Sequence, residues 1–270
     1  MTALAALERF LSAQPALAIV EVVRARGSTP REEGAWMLVA PAATLGTIGG
    51  GALEFMAIDR ARAALAGEIA TDAMDVPLGP EIGQCCGGRV ELAIRLMDEA
   101  ARNALLTRER AADARLPHIL VFGGGHVGHA LASAFALLPM KVTVVETRSD
   151  ALEGMPTNID TRLTAVPEEV VRAAPAGSAI VVLTHDHALD FLIVAEALKR
   201  QDLAYVGMIG SKTKKATFRS WYLKEAGGAE SDFGRLVSPI GGDGVRDKRP
   251  AVIAALAAAE IMTALSRPSA

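Results

Sequence analysis

The sequence predicts an α/β protein with a parallel sheet in its C-terminal part and a smaller α+β domain before it. The chain has 270 residues, which is more than one compact core usually holds. From His118 onward, apolar strand-like runs alternate with helix-like segments, as in a parallel sheet covered by helices. The first of these runs leads into the glycine-rich turn Gly123–Gly128, a pattern typical of a Rossmann-type domain.

The N-terminal domain is predicted over residues 1–110. A helix is expected at residues 1–14, followed by segments of regular structure at Leu17–Val23, Trp36–Val39, Ala52–Glu68 and Arg89–Leu96. Ala52–Glu68 has helical periodicity and good helix formers, whereas the other three segments are short, apolar and strand-like. Two glycine-rich loops, at residues 46–51 and 83–88, separate these elements. Residues 111–117 are predicted as a linker.

The C-terminal domain is predicted over residues 118–270, with strands and helices in alternation. The expected strands are His118–Phe122, Lys141–Glu146, Ala179–Leu183, Ala204–Ile209 and a short last one at Arg235–Ser238. The expected helices are Val127–Leu138, Ala188–Arg200, Lys212–Glu225 and Pro250–Leu265. Strands joined by helices run parallel, so their carboxyl ends form one edge of the sheet, where such folds bind ligands.

Composition argues against several classes of function. The formal net charge is -3 and no basic run carries interleaved aromatic residues, so nucleic-acid binding is not expected. Charges interrupt the apolar runs well short of a membrane span, and the first residues lack the cationic start of a secretory signal. The two cysteines, Cys85 and Cys86, are adjacent and cannot easily form a disulfide with each other. A reduced, cytoplasmic protein is therefore expected.

The glycine turn of the C-terminal domain carries a phosphate-binding pattern. Gly123 permits the tight turn, Gly125 lets a phosphate approach the backbone, and Gly128 lets helix and strand pack closely. The helix that begins here offers amide groups to an anion, and His126 lies inside the turn. Glu146 ends the next strand, where an acid can accept hydrogen bonds from a ribose hydroxyl. The alternative is an α/β glycine turn that binds no nucleotide.

The cysteine loop, residues 83–88, places Gln84, Cys85 and Cys86 between glycines. Exposed backbone amides and the nearby Arg89 would favour the thiolate form. Thiolates are soft ligands that suit a transition metal or a transferable sulfur. A structural zinc site is not expected, because the sequence has no second cysteine pair and no histidine nearby. The alternative is a pair of buried, unreactive cysteines.

The first glycine-rich loop, residues 46–51, precedes the helix predicted at Ala52–Glu68. It lacks the Lys-Ser or Lys-Thr ending of a P-loop, so nucleoside triphosphate binding is not expected there. The amides of Gly49 and Gly50 could still bind an anionic group. From this loop alone, a plain strand-to-helix connection is the favoured interpretation.

Two further segments lie at the predicted carboxyl edge of the parallel sheet. His185, Asp186 and His187 follow a buried strand, a position that favours ligand binding, although capping of the next helix by Asp186 is an adequate alternative. Ser211 and Lys212 open the helix after the next strand, where they could hold a phosphate or an acid. A lysine solvated at the surface is the competing interpretation.

Taken together, these motifs resemble those of the XdhC/CoxI family, accessory proteins of xanthine dehydrogenase. The matching segments, in chain order, are Gly27–Arg31, Gly46–Glu54, Gly83–Gly88, Phe122–Gly128, Leu183–Asp190, Gly207–Lys212, Ser238–Gly241 and Lys248–Pro250. The resemblance covers nearly the whole chain. The cysteine loop and the Thr-His-Asp-His segment are quite specific in combination.

The resemblance implies an accessory protein or chaperone rather than an enzyme. Proteins of this family bind the molybdenum cofactor, molybdopterin, and promote exchange of an oxo for a sulfido ligand on it with a cysteine desulfurase. They help to insert the cofactor into xanthine dehydrogenase and are cytoplasmic homodimers. The family's cysteine motif falls on Cys85 and Cys86, which are therefore the expected metal ligands, and the choice between them stays open.

Two other functions stay open at this point. The glycine turn and Glu146 would also suit an NAD-dependent oxidoreductase, although no hydride-transfer group is evident beyond His185 and Lys212. Adjacent thiols would suit a redox or sulfur-carrier protein, but Cys85 and Cys86 lack the two-residue spacer of thioredoxin-like motifs. The turn could hold the molybdenum cofactor, a separate nucleotide or nothing.

Overall fold

A computed structural model describes residues 3–70, 73–80, 87–242 and 244–266. The chain divides into two compact units, Met1–Ala114 and Arg115–Ala270. The division follows the last residue of a helix, so residues 111–114 of the predicted linker are helical. In the described part of the chain, no helix combines the length and the apolar character needed to cross a membrane.

The N-terminal unit is built on a five-stranded antiparallel sheet. Its elements are α1 Ala3–Ala13, β1 Ala18–Arg26, β2 Trp36–Val39, β3 Thr44–Gly46, α2 Gly51–Leu65, β4 Ala73–Pro77, β5 Arg89–Leu96 and α3 Glu99–Ala114. The strand order is β3-β2-β1-β5-β4, and each neighbouring pair runs antiparallel. The central strand β1 pairs along its length with β5, with one register shift between Val22 and Arg24.

Helices cover both faces of this sheet. On one face, α2 packs Ala57 into a core that includes Val20 of β1. On the other face, Leu7 of α1 and Leu105 of α3 share a core with Ile19. Burial from both sides explains why the first five residues of β1 are all buried, Glu21 included, rather than alternately buried and exposed.

The C-terminal unit is built on a six-stranded parallel sheet. Its elements are β6 His118–Phe122, α4 His126–Phe135, β7 Lys141–Glu146, a 3-10 turn Asp150–Leu152, β8 Asp160–Leu163, α5 Pro167–Arg172, β9 Ala179–Val182, α6 His187–Lys199, β10 Tyr205–Met208, α7 Lys212–Lys224, α8 Glu230–Phe233, β11 Leu236–Val237 and α9 Pro250–Leu265. The strand order is β11-β10-β9-β6-β7-β8, with every neighbouring pair parallel. Together with the antiparallel unit before it, this sheet confirms the predicted fold class.

The strand order of the parallel sheet reverses between β6 and β9. From β6 the chain steps outward to β7 and β8, and from β9 it steps outward on the other side to β10 and β11. One face is packed by α4 and α9 through Phe135 and Ile261, and the other by α5, α6 and α7 through residues such as Ile193 and Phe218. The carboxyl ends of β6 and β9 therefore flank the crevice in which doubly wound folds bind ligands.

Candidate functional site

The glycine turn connects β6 to α4 at the carboxyl edge of the parallel sheet. Gly123 has a φ of 119°, and a Cβ there would lie 2.4 Å from the carbonyl oxygen of Leu183. At Gly128, a Cβ would lie 2.1 Å from the carbonyl oxygen of Gly123. Real Cβ atoms do not come so close to backbone oxygens, so both glycines are required for β6, α4 and the end of β9 to pack together.

Gly125 differs from the other two glycines of the pattern. Its φ of -74° and ψ of -170° are extended values that any residue adopts, and a Cβ there would meet no heavy atom of the described residues within 4 Å. Gly125 and His126 are exposed, and in the described structure α4 begins without a side-chain cap. Packing gives no reason for glycine here, whereas close approach of an anion to the first amides of α4 would give one.

Glu146 lies at the end of β7 beside this turn, as predicted, and it is buried with 4% exposure. Its carboxylate accepts hydrogen bonds from the amides of Gly124 at 2.8 Å, Thr147 at 2.8 Å and Arg148 at 3.2 Å. Burial alone would raise the pKa of Glu146, but these hydrogen bonds outweigh it and hold the pKa below its usual range. The carboxylate therefore locks the turn, and a ribose hydroxyl would have to compete with donors of the chain itself.

The Thr184–His187 segment connects β9 to α6 at the same edge. The Asp186 carboxylate accepts a hydrogen bond from the Ala188 amide at 2.8 Å and so caps α6. His185 and His187 are exposed. Among the residues that the structure describes, no three histidine, cysteine, aspartate or glutamate side chains converge as a metal ion requires.

The loop from β10 to α7 carries the other predicted polar pair. The Ser211 hydroxyl accepts a hydrogen bond from the Lys214 amide at 3.2 Å and caps α7. Lys212 is exposed in the first turn of this helix. The structure thus brings Ser211 and Lys212 to the same edge as the glycine turn, with a capping role for the serine.

A buried polar cluster at this edge joins side chains that the sequence does not show to be neighbours. Asp190 of α6 has no solvent exposure, and one of its oxygens lies 2.9 Å from the Thr184 amide and 2.7 Å from the Thr184 hydroxyl, which both donate to it. Its other oxygen pairs with the ammonium group of Lys214 on α7. The signal in the sequence is the acid itself, because a carboxylate inside an apolar helical stretch needs a buried partner.

The glycine-rich motifs of the N-terminal unit meet at one end of its sheet. A Cβ on Gly49 would lie 2.4 Å from Cγ of Pro30, and a Cβ on Gly88 would lie 2.2 Å from the carbonyl oxygen of Ser28. The turn at residues 27–31 therefore contacts both the first glycine-rich loop and the end of the cysteine loop. Motifs far apart in sequence are adjacent in the fold.

Gln84, Cys85 and Cys86 lie outside the described residues, so their role as ligands stays a prediction. The residues around them are described: the Gly87 amide donates to the Leu78 carbonyl at 2.9 Å, between β4 and β5. This bond fixes where the chain leaves the sheet and where it returns.

The amides of the first glycine-rich loop already bind an acid of the chain. Glu54, in the first turn of α2, accepts hydrogen bonds from the amides of Ile48 at 2.9 Å and Gly49 at 3.2 Å, and from the Thr47 hydroxyl. Burial raises the pKa of Glu54, but these bonds and one from the Gly50 amide outweigh it and hold the pKa below its usual range. An external anion would have to compete with this carboxylate for the loop.

A cleft of about 640 Å³ lies beside the loop, within the N-terminal unit. Its lining includes Arg31 and three acids, Glu32, Glu33 and Glu109. The excess of acid over base disfavours a phosphate there. Among the described residues, the glycine turn of the C-terminal unit is therefore the better candidate for a phosphate site.

Two family models match this chain, one in each of its two units. Residues 119–261 match the family model described as the XdhC Rossmann domain, which is more than half of the chain. Residues 10–72 match the model described as the XdhC and CoxI family. This chain belongs to the XdhC and CoxI family. The resemblance drawn from the motifs is therefore confirmed, while Cys85 and Cys86 lie between the two matched regions.

Two known proteins are similar to this XdhC-family chain. It is 27% identical over 263 residues to the uncharacterized protein YqeB of Escherichia coli (strain K12), a match that covers 91% of this chain and 43% of YqeB. The chain thus spans less than half the length of that relative. It also resembles the crystal structure of a Bacillus halodurans protein described as a xanthine dehydrogenase, with a TM-score of 0.80, 17% identity and coverage of 100% of this chain and 97% of the other. At that identity the likeness shows the fold alone.

Proposed function

We propose that this protein binds the molybdenum cofactor and serves xanthine dehydrogenase as an accessory protein. Membership of the XdhC and CoxI family supports the accessory role. The observation that carries the binding part is Gly125, a glycine that packing does not require, at the uncapped start of α4. Molybdopterin carries a phosphate, and the start of a helix is a suitable place for one.

The residues present fit such a cargo. The amides at the start of α4 would hold the phosphate, while Gly123 and Gly128 keep the turn in shape. His126 is exposed beside them and would face the bound group. On this proposal, the chain binds and shelters the cofactor while a cysteine desulfurase supplies the sulfur that replaces an oxo ligand on the molybdenum. The protein would act as a cytoplasmic homodimer and would itself be no enzyme.

The substitution Gly125→Ala tests the phosphate site. Alanine adopts the backbone angles of Gly125, and its methyl group would enter open space, so thermal stability should stay unchanged. The methyl group would, however, stand in the path of the phosphate, so less cofactor should be retained. The measurement is the fluorescence of the oxidised pterin, together with molybdenum analysis, on protein purified from cells that synthesise molybdopterin.

The matched control is Gly244→Ala. A Cβ on Gly244 would also meet none of the described residues within 4 Å, and Gly244 lies outside the turn. This control should retain as much pterin as the wild type. Full pterin content in Gly125→Ala would contradict the phosphate site, and a wild-type protein without pterin or molybdenum would contradict the proposed function as a whole.

The thiols require a separate experiment, since Cys85 and Cys86 are proposed as metal ligands from the family motif. A thiolate is a soft ligand for molybdenum or for a sulfur bound to it. Cys85→Ala or Cys86→Ala should therefore lower the molybdenum retained per pterin. If both single variants and the double variant hold as much metal as the wild type, the cysteines are not ligands.

An NAD-dependent oxidoreductase is the second candidate, favoured by the glycine turn followed by an acid at the end of β7. The three backbone amides that already donate to the Glu146 carboxylate count against it, because an NAD ribose would have to compete with them. Calorimetric titration with NAD⁺ decides between the two. Tight binding of NAD⁺ by pterin-free protein, together with turnover of the reduced nicotinamide, would favour the oxidoreductase.

A further inference from the structure

A buried ion pair joins two loops at the carboxyl edge of the parallel sheet. Asp190 of α6 has no exposed surface, and the side chain of Lys214 on α7 is 9% exposed. Surface pairs of this protein look different: Lys199, which pairs with Glu196 on α6, is 65% exposed. The Asp190–Lys214 pair is thus shielded from solvent, and its geometry is set by the packing around it.

On the side of α6, Asp190 shapes the segment that follows β9. Both the amide and the hydroxyl group of Thr184 donate to one oxygen of Asp190. The Asp186 amide in turn donates to the Thr184 hydroxyl oxygen at 3.2 Å. The path of the chain through His185 to the capping Asp186 therefore depends on the position of the Asp190 carboxylate.

On the side of α7, Lys214 is held against the loop that follows β10. A Cβ on Gly210 would lie 2.7 Å from Cδ of Lys214, so the lysine stem occupies the space that this glycine leaves. The Lys214 amide donates to the Ser211 hydroxyl. The ammonium group that pairs with Asp190 thus belongs to the residue that also fixes the start of α7, next to Ser211 and Lys212.

Stability alone does not explain such a pair. A buried ion pair generally stabilises a fold no more than an apolar pair of similar volume, whereas it demands one particular geometry. We propose that Asp190 and Lys214 are positioning residues, which set the β9–α6 and β10–α7 loops for an anionic ligand held at the glycine turn. This inference rests on the proposed function. It adds to that function the ion pair that holds the loops after two neighbouring strands in fixed positions relative to each other.

The experiment compares breaking the pair with replacing it. Lys214→Met leaves the Asp190 carboxylate buried without its counter-ion, so the melting temperature should fall. The double variant Asp190→Asn with Lys214→Met removes both charges and keeps an oxygen for Thr184, so most of the stability should return. If the pair positions the loops, the pterin content of this double variant should nevertheless be about ten-fold lower than that of the wild type.

Two further variants make the result specific. The double variant Asp190→Asn with Lys214→Gln removes both charges but keeps a donor and an acceptor on each helix, so it should keep both the fold and most of the pterin. Lys199→Met removes the exposed lysine of α6, and it should change neither stability nor pterin content. All variants are purified from cells that synthesise molybdopterin and are assayed well below their melting temperatures.

The outcomes separate the two proposals. If Asp190→Asn with Lys214→Met holds as much pterin as the wild type, the pair is structural only, and the positioning role is wrong while the proposed function stands. If Asp190→Asn with Lys214→Gln loses as much pterin as Asp190→Asn with Lys214→Met, the charge of the lysine binds the ligand directly rather than by positioning, which also overturns the inference. If the wild type holds no pterin, the proposed function fails and the inference fails with it.

Discussion

Glycine is required at different positions of the turn for different physical reasons, and alanine substitutions can distinguish these reasons. In Gly128→Ala the new methyl group would meet the Gly123 carbonyl oxygen, a backbone atom that cannot move aside as a flexible side chain can. We expect the free energy of unfolding to fall by about 1–3 kcal/mol, as for other overpacked cores. Urea denaturation measures this, with Gly125→Ala as the unchanged control. Equal stability of both variants would show that the close approach of β6 to α4 is not rigid.

Glu146 gives the turn a predictable dependence on pH. Its folded-state pKa lies below the ordinary value of 4.5, so its contribution to stability is present above about pH 4.5 and is lost as the pH falls through the lower folded-state pKa. Glu146→Gln should cost about 1–3 kcal/mol at pH 7, because buried amides lose their charged acceptor. The difference between wild type and variant should shrink when urea denaturation is repeated below pH 4.

The exposed Glu153 supplies the control for this experiment. Glu153→Gln should leave the free energy of unfolding nearly unchanged at both pH values, since surface substitutions have small effects. A Glu146→Gln difference that stays constant across the acid range would show that the hydrogen bonds, and not the charge, carry the stabilisation.

The limits of sequence reasoning are clear at the level of single residues. The tight turn at Gly123 and the close packing at Gly128 could be predicted, because glycines at this spacing between a strand and a helix have these two roles. The position of Glu146 at the end of a strand was predicted, but its role in the turn was not. The backbone amides that donate to its carboxylate are brought to it only when the turn folds. Lys214 was missed because its partner Asp190 is distant in sequence and lies on another helix.

At the level of elements, substitutions at the cap of α6 can show whether this residue serves the helix, the ligand or both. Asp186 accepts the Ala188 amide, so Asp186→Ala should lower stability by about 1 kcal/mol, whereas Asp186→Asn keeps a capping oxygen and should not. Thermal unfolding measures the stability of both variants, and pterin content measures their ligand binding. Loss of pterin in a stable Asp186→Asn variant would show that the negative charge of this residue serves the ligand and not only the helix.

Which elements could be predicted also has a physical reason. Strands β6, β9 and β10 are buried on both faces, so they stand out in the sequence as apolar runs. The edge strand β8 is exposed throughout, and β4 has Val76 as its one buried residue. Both form by pairing with a neighbour rather than by a pattern of their own, and for that reason they were not predicted. The elements β3, α5 and α8 were not predicted either, because three to six residues are too few to show a periodic pattern.

At the scale of the whole molecule, each unit has cores of its own. Two apolar clusters lie entirely within the N-terminal unit and two entirely within the C-terminal unit. Each sheet also finds all of its hydrogen-bonded neighbours inside one unit. A division of cores and sheets along the chain is what independent folding requires.

We therefore expect the fragment Arg115–Ala270 to fold without the rest of the chain. Its six-stranded sheet keeps helices on both faces, so circular dichroism should show mixed helix and strand, and urea should unfold it in one cooperative transition. Within this fragment, Gly128→Ala should destabilise and Gly125→Ala should not, as in the full chain. The backbone oxygen that a Cβ on Gly128 would meet belongs to Gly123 of this unit, and a Cβ on Gly125 would meet none of the described residues within 4 Å. A fragment that stays unfolded, or that unfolds without cooperativity, would mean that its cores need the N-terminal unit for stability. Agreement between fragment and full chain would instead locate the effect of each glycine in the Rossmann-type unit alone.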